Sequence, residues 1–245
     1  MFVAQQVPLP CLDVAMVAES YGAVRIDRRD VRSVTAVRDL ATFRRFLSLL
    51  ASRAGQVLNR TDMAAPLGVS IPTLSQWLNI LEITSQILLI PPFYENFGKR
   101  LIKSPKVYFA DSGLLCHLLG VESPAALARS PFAGAIFEGF VASEIAKAQL
   151  NAGRRRELYF FRDEQGLEVD FVAPAGSAEL LLLEAKASRT LRPEAALPIE
   201  RLSRAVKRYK TRAAVVGLDD SRSLQALRPG IRAATAKDIP GLLSL

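Results

Sequence analysis

The most informative stretch of this sequence is Leu180-Leu181-Leu182-Leu183-Glu184-Ala185-Lys186, an apolar run that ends in two opposite charges. The run predicts a buried strand, and side chains two residues apart lie on the same face of a strand. Glu184 and Lys186 therefore share one face, where burial is costly unless the charges are paired. Working outward, Asp170 lies in the preceding predicted strand and Glu138 lies in a predicted helix. We expect these four charged residues to form one polar site.

The chain has 245 residues, of which 50% are hydrophobic, so it is long enough for one large domain or two modest ones with their own cores. Its two cysteines, Cys11 and Cys116, are far apart and lack a CxxC pattern, so neither a disulfide framework nor a zinc site is indicated. No run reaches the ~20 apolar residues that a bilayer requires, and the amino terminus lacks a signal-peptide pattern. We expect a cytoplasmic protein that does not contact the membrane.

The chain carries a formal charge of +8 and a sequence pI near 9.8. This excess of positive charge favours polyanionic partners such as nucleic acid. Solvated surface arginines account for the same charge equally well, so the charge alone leaves both interpretations open.

Residues 36–111 follow the order helix, short helix, glycine turn and helix, which is typical of a helix-turn-helix. Thr61 is placed to cap the second helix, and Ser70 is placed to cap the third. Together with two short strands that follow, this order predicts a winged helix-turn-helix domain over 36–111. Residues 1–35 show no readable pattern and are left without an assignment.

The predicted wing consists of two strands at 87–90 and 107–109 around a polar loop that contains a glycine. Basic residues concentrate near its tip and are candidates for contacts with phosphate: Lys99, Arg100, Lys103 and Lys106. The third helix exposes Gln76 and Asn79, which can read base edges, but it carries no Lys or Arg. We expect DNA binding that is largely independent of sequence, and protein docking is an equally good interpretation of this domain.

Residues 112–245 are predicted to form an α/β domain. Its main elements are a helix at 133–150, strands at 158–162, 167–173 and 180–185, a helix at 193–209, and strands at 213–218 and 231–234. This αβββαβ order is that of the restriction-endonuclease fold. The expected class of the whole chain is therefore α/β (α+β), with a winged helix-turn-helix followed by a restriction-endonuclease-like domain.

Five short motifs occur in a characteristic order and spacing. They are Ile-Pro-Thr-Leu-Ser-Gln-Trp-Leu at 71–78, Lys-Ser-Pro-Lys-Val-Tyr-Phe-Ala-Asp-Ser-Gly-Leu at 103–114, Phe-Glu-Gly-Phe-Val at 137–141, Glu-Val-Asp-Phe at 168–171 and Glu-Ala-Lys at 184–186. The set resembles a family of prokaryotic AAA-type ATPases whose carboxy-terminal part carries a domain of unknown function. Members of that family look like a P-loop ATPase followed by a winged helix and a PD-(D/E)xK nuclease-like domain.

This chain departs from the family pattern because it contains no GxxxxGK[ST] sequence, the P-loop that cradles nucleotide phosphates. We therefore expect a split or truncated relative that binds no ATP by itself. An ATPase partner would then act in trans.

The resemblance implies a nuclease site with Glu138, Asp170, Glu184 and Lys186 as catalytic residues. Asp170 and Glu184 would be ligands of Mg²⁺, which prefers hard oxygen donors, and Glu138 would complete the metal shell from its helix. Lys186 would position or help to deprotonate the attacking water and would stabilise charge on the phosphate. Glu168 shares a face with Asp170 and could join the carboxylates.

An alternative interpretation of the same residues is structural. Glu184 and Lys186 would then form an ion pair that persists in a fold that no longer cleaves, since folds are reused without their chemistry. The sequence thus leaves two functions open, a nucleic-acid-binding protein with a possible Mg²⁺-dependent nuclease site or a non-enzymatic interaction and regulatory module.

Overall fold

A computed structural model describes the protein at residues 39–94, 104–219 and 224–243. Helices and a mixed sheet make it an α/β protein, which agrees with the predicted class. No helix among these residues is both long enough and apolar enough to cross a membrane. The unassigned segment 1–35 lies outside the described residues.

Three helices begin the described chain, and a side chain caps the first turn of each. They are α1 (Leu40–Ser52), α2 (Arg60–Leu67) and α3 (Ile71–Ile83). Asp39 caps α1, and Ser70 caps α3 as predicted. The cap of α2 is Asn59 rather than the predicted Thr61, because the Asn59 side chain accepts from two backbone N–H groups of the first turn and Asn is the stronger capping residue.

After α3 the chain forms an antiparallel hairpin of β1 (Ile87–Ile90) and β2 (Lys106–Phe109). The residues that follow β1 run along the edge of the main sheet. There the Phe93 N–H donates to the Phe160 carbonyl at 2.6 Å, and the Phe160 N–H donates to the Pro91 carbonyl at 3.1 Å. These bonds bring the hairpin, and with it the start of β2, beside the sheet.

Three further helices connect the hairpin to the sheet: α4 (Ser112–Leu118), α5 (Pro124–Arg129) and α6 (Ala133–Asn151). Ser123 caps α5, and the initial proline of this helix already has the φ that a helix needs. α6 buries Val141 and Ile145 in a core that it shares with the hairpin and the sheet. This packing directs the first half of α6 towards both of them.

Six strands form the main sheet in the order β3-β4-β5-β6-β8-β7. Their bounds are β3 (Tyr159–Arg162), β4 (Glu168–Gly176), β5 (Glu179–Ala185), β6 (Lys210–Gly217), β7 (Ala226–Arg228) and β8 (Ile231–Thr235). β3, β4 and β5 are antiparallel neighbours, β5, β6 and β8 run parallel, and β7 is antiparallel to β8. Because parallel strands need a crossover, β5 and β6 are joined through a 3-10 turn (Pro193–Ala196) and α7 (Leu197–Ala205).

The structure corrects three predicted details of this region. α7 ends at Ala205 instead of near residue 209, because Lys210 already pairs with Glu179 across β5 and β6. β7 was not predicted, since a three-residue strand at the sheet edge has almost no sequence pattern. A short helix, α8 (Ile239–Leu243), closes the described chain and packs on α6.

β4 contains a bulge at Asp170. Tyr159 pairs with Val172 whereas Phe161 pairs with Val169, so three steps along β4 oppose two steps along β3. Val169 and Val172 consequently pack in the same core, although strict alternation would place them on opposite faces. A bulge re-aims the side chains beside it, and here it changes the direction of Asp170.

Buried residues of the described chain fall into three clusters, and the first two meet at β2. The first cluster combines α1 to α3 with Leu115 and Ile136, both beyond the predicted domain boundary at residue 111. The second lies between α6 and one face of the sheet, and the third lies between α7 and the other face. Since β2 places Val107 in the first cluster and Tyr108 in the second, this strand ties the helical part to the sheet.

Gly217, the last residue of β6, lies where the loop after β5 passes very close. A β-carbon at Gly217 would lie 2.9 Å from Leu191 Cδ2 and 3.1 Å from the Ser188 carbonyl oxygen. We therefore expect Gly217→Ala to lower the free energy of unfolding by about 1–3 kcal/mol, which is the usual cost of overpacking. Urea denaturation measures this change.

Gly134→Ala is the matched control, because nothing lies within 4 Å of a β-carbon at this helical position. Its free energy of unfolding should stay the same or rise by about 0.5 kcal/mol. Equal losses in both variants would contradict the close approach at Gly217.

Candidate acidic site at the ends of β4 and β5

Asp170 and Glu184 lie side by side on neighbouring strands. The antiparallel register pairs Phe171 with Leu183, and the next pair along the two strands is Asp170 with Glu184. The backbone N–H of Ala185 donates to Asp170 Oδ2 at 2.9 Å, which fixes the Asp170 carboxylate beside β5. The two carboxylates expected to act together are therefore brought together.

Lys186 lies beside Glu184, and the two form an ion pair. The Lys186 Nζ donates to Glu184 Oε1 at 2.8 Å. Glu184 is only 6% exposed, whereas the Lys186 side chain is 43% exposed. The second carboxylate oxygen, Glu184 Oε2, is buried and has no hydrogen-bond partner within the described part of the chain. One oxygen of this buried carboxylate is thus available for a ligand.

Glu138 reaches the cluster from α6, as expected, but both of its bonds are to β2. Its Oε1 accepts from the Lys106 Nζ at 3.1 Å and from the Tyr108 hydroxyl. Its Oε2 lies near Gly55, where a β-carbon would approach it to 3.4 Å. Gly55 has a φ of +76°, so both its backbone conformation and this contact favour glycine.

Lys106 occupies the centre of the cluster, which corrects its predicted role as a phosphate contact at the wing tip. It is 3% exposed, and its Nζ lies 2.5 Å from Glu168 Oε1 and 4.0 Å from Asp170 Oδ1. The ammonium also lies 5.5 Å from the centre of the Phe160 ring. A lysine so enclosed cannot contact nucleic acid in this conformation, because its charge is already balanced by buried carboxylates.

The pKa values of the carboxylates show that their ionised forms are unfavourable in this site. Burial raises the pKa of Asp170 well above its usual value, and the nearby Glu138 and Glu184 carboxylates raise it further. Burial also raises the pKa of Glu184, while Lys186 partly offsets this effect. Two adjacent carboxylates that resist full ionisation are the electrostatic pattern of a site that favours a cation.

Both lysines stay protonated at neutral pH. Burial by itself lowers the pKa of Lys106, but Glu138, Asp170 and Glu168 outweigh this effect and raise it above the usual value. The pKa of Lys186 is raised in the same way, since Glu184 and the other carboxylates outweigh its partial burial. Lys186 is therefore suited to stabilise negative charge and unsuited to accept a proton from water.

The donor set fits a magnesium ion at two of the three predicted ligands. Asp170 and Glu184 supply hard oxygen donors, and Mg²⁺ is commonly held by one or two carboxylates together with substrate phosphates. Glu184 Oε2 is the open ligand position. Within the residues that the structure describes, no three His, Cys, Asp or Glu side chains are grouped to hold a metal ion together. Glu138, the predicted third ligand, binds Lys106 and Tyr108 instead.

The remaining predicted nucleic-acid contacts divide into two groups. Gln76 and Asn79 are exposed on α3, a helix that contains no Lys or Arg. Lys99, Arg100 and Lys103 lie outside the described residues.

Other basic residues, apart from those predicted at the wing, surround α7 and the start of β6. Arg204 and Arg228 pair with Glu200, and Arg212 pairs with Glu179. Four others are exposed and have no carboxylate partner among the described residues: Arg201, Lys207, Arg208 and Lys210.

Sequence reasoning missed Lys106 and Tyr108 as members of the acidic site. Both lie on β2 two residues apart and therefore point to the same face, where they bind one carboxylate oxygen of Glu138. The Lys-Val-Tyr-Phe pattern is the signal that could have found them, because a lysine in a fully buried strand needs an acidic partner.

Comparison with known proteins places this architecture among uncharacterised domains. Residues 24–125 match the model of a domain of unknown function, DUF8612, and residues 133–231 match that of another, DUF4143. An uncharacterized protein of Mycobacterium bovis and one of Mycobacterium tuberculosis are each 34% identical to the chain over 142 residues. The match covers 58% of this chain but only 31% of each relative, and no solved structure gives a significant match. The acidic site spans both matched regions, since Lys106 lies in the first and the carboxylates lie in the second.

Asp170→Asn should raise stability at neutral pH. The raised pKa of Asp170 means that the folded protein keeps a proton that the unfolded chain releases, so wild-type stability falls as pH rises from about 3.8 through the folded pKa. Asparagine removes this dependence, and its side-chain oxygen can still accept from the Ala185 N–H. We expect a gain on the order of 1 kcal/mol at pH 7 that disappears towards pH 3, measured by urea denaturation across this range.

Glu164→Gln, in the exposed turn before β4, is the control and should behave like the wild type at every pH. A loss of stability in Asp170→Asn at pH 7, or a gain that does not change with pH, would show that burial of the Asp170 charge does not cost stability.

Proposed function

We propose that the protein binds nucleic acid and hydrolyses its phosphodiester bonds with Mg²⁺ at a site formed by Asp170, Glu184 and Lys186. The observation that carries the proposal is the proximity of a half-buried Asp170 and a buried Glu184 on neighbouring strands, with no partner for Glu184 Oε2 among the described residues. Burial of two adjacent like charges is unfavourable for folding. Such arrangements are typical of functional sites, where the charges serve binding or catalysis and not the stability of the fold.

We also infer a fold assignment that is consistent with this proposed function. α1 to α3 with the hairpin would form a winged helix-turn-helix, and α6, β3 to β5, α7 and β6 would form a PD-(D/E)xK nuclease-like core. The order of these elements and the arrival of Glu138 from the helix that precedes the three strands support this assignment. We also propose a cytoplasmic location, and any ATP-dependent step would come from outside these 245 residues.

Each residue of the site has a role in this proposal. When bound, Mg²⁺ would polarise the phosphate and lower the pKa of a bound water. Asp170 and Glu184 would hold the ion, with the Ala185 N–H keeping the Asp170 carboxylate in place. Lys186, protonated and partly exposed, would stabilise negative charge on the phosphate. Glu138 would act through Lys106 and Tyr108 as a positioning residue.

The nucleic acid would be held through its phosphates. Arg201, Lys207, Arg208 and Lys210 are exposed cations without carboxylate partners, and the polar residues exposed on α3 would add contacts at Gln76 and Asn79. Lys99, Arg100 and Lys103 stay candidates from the sequence. Contacts of this kind confer affinity for DNA or RNA without reading the bases.

A non-enzymatic interaction module is the second candidate. Lys106 favours it, because the ammonium already neutralises part of the acidic cluster and binds the helix carboxylate that would complete a metal shell. In that case the cluster would serve to join β2 to the sheet, and the exposed surfaces would dock a partner protein.

Cleavage should require both the divalent ion and Asp170. We expect the purified protein to cut labelled DNA or RNA with Mg²⁺ or Mn²⁺, and Asp170→Ala to lower the rate on the order of 100-fold, because a ligand of the reacting centre is lost. Gel electrophoresis of end-labelled substrates, with and without chelator, measures this. Glu164→Ala, an exposed acidic residue outside the site, should cut at the wild-type rate.

Equal cleavage by Asp170→Ala, or cleavage that survives chelation, would exclude this site as its source. Tight nucleic-acid binding without any cleavage would leave the interaction module as the function.

Binding should be insensitive to sequence and sensitive to salt. We expect the logarithm of the affinity to fall linearly with the logarithm of the salt concentration, and Lys207→Ala with Arg208→Ala to reduce this slope by about 2, one for each lost phosphate contact. Fluorescence anisotropy with two unrelated duplexes measures both properties. Lys147→Ala, an exposed lysine that already pairs with Glu144, is the control. A strong preference for one duplex, or affinity independent of salt, would refute phosphate-based binding.

A further inference from the structure

We propose that the Lys106 ammonium is the resident cation of the acidic site and that it opposes the binding of a divalent ion at Asp170 and Glu184. This inference rests on the proposed function and names a regulatory element within the same site. A divalent ion would then bind only after the Lys106 side chain has moved away from the carboxylates.

The distances place the ammonium among three carboxylates, one of which is the proposed metal ligand Asp170. The Lys106 Nζ lies 3.1 Å from Glu138 Oε1, 2.5 Å from Glu168 Oε1 and 4.0 Å from Asp170 Oδ1. Three carboxylates from two different elements, α6 and β4, thus face one cation. Since like charges repel strongly at these distances, a divalent ion bound by Asp170 and Glu184 would be destabilised by an ammonium so close to it.

Glu184 provides a second observation, independent of the Lys106 distances, in favour of a further ligand at the cluster. It is 6% exposed, its Oε1 binds Lys186, and its Oε2 has no hydrogen-bond partner in the ranges that the structure describes. Lys106 satisfies Glu138 and Glu168 but leaves this buried oxygen unpaired. The internal cation therefore neutralises one side of the cluster only, and the side at Glu184 is open.

Displacement of Lys106 would involve its side chain and not its strand. The backbone around it is held on both sides, because the Leu58 N–H donates to the Pro105 carbonyl at 2.8 Å and the Gly55 N–H donates to the Val107 carbonyl at 2.8 Å. Movement of the strand would break these bonds and disturb two cores. Rotation of the flexible lysine side chain breaks its contacts with the carboxylates and with the Phe160 ring but leaves these backbone bonds in place.

The test compares the Mg²⁺ affinity of matched variants by calorimetry with the metal chloride alone. Lys106→Met removes the competing charge but leaves three carboxylates unbalanced, so the informative pair is Glu168→Gln and Lys106→Met/Glu168→Gln. The double variant keeps the net charge of the wild-type cluster. We expect it to bind Mg²⁺ roughly tenfold tighter, or more, than Glu168→Gln alone. Lys147→Met, at an exposed lysine, should bind like the wild type.

A second measurement follows Lys106 itself. Mass-spectrometric mapping of amine labelling should show slow modification of Lys106 without metal and several-fold faster modification with saturating Mg²⁺, whereas Lys147 should label equally in both conditions. This readout does not depend on cleavage.

The outcomes separate this inference from the proposed function. Mg²⁺ binding that is equal or weaker in the double variant, or labelling of Lys106 that metal does not accelerate, would overturn the competition while leaving a metal-dependent nuclease intact. Absence of Mg²⁺ binding in every variant would overturn both.

Discussion

The ion cluster around Lys106 connects the two parts of this protein. The lysine is the first residue of β2, whose neighbouring side chains Val107 and Tyr108 pack in different cores, and its ammonium binds carboxylates on α6 and β4. Removal of one partner from a buried ion pair typically costs about 3–5 kcal/mol, because the other charges stay buried without compensation. The position of Glu138, and with it the geometry of the site, depends on this cation.

The same cluster shows that the site and the stability of the fold have opposite requirements. Burial raises the pKa of both Asp170 and Glu184, and the nearby Glu138 carboxylate raises it further, so their charges lower stability at neutral pH. An apolar pair at these positions would extend the hydrophobic strands that surround them. Charged residues in such a place are costly to the fold, which is why the proposed function centres on them.

Much of the architecture follows from local pattern. The run Leu180–Leu183 forms β5 because it is apolar on both faces, and Ser70 caps α3 because its side chain reaches the first free N–H groups. The antiparallel order of β4 and β5 follows from the short turn between them, and it makes Asp170 the neighbour of Glu184. A weak pattern failed at the three-residue edge strand β7, which the sequence did not predict.

The sequence by itself determined which charged residues lie on the strands and that Glu184 and Lys186 share a face, because the period of a strand is local. Only the tertiary structure decided the partner of each charge. Lys106 is 64 residues from Asp170 in the chain, and no local rule relates them. The packing of β2 against α6 and the bulge in β4 bring their charges together, and burial then makes ion pairing obligatory. A lysine that looks like a surface cation in the sequence is therefore the centre of the site.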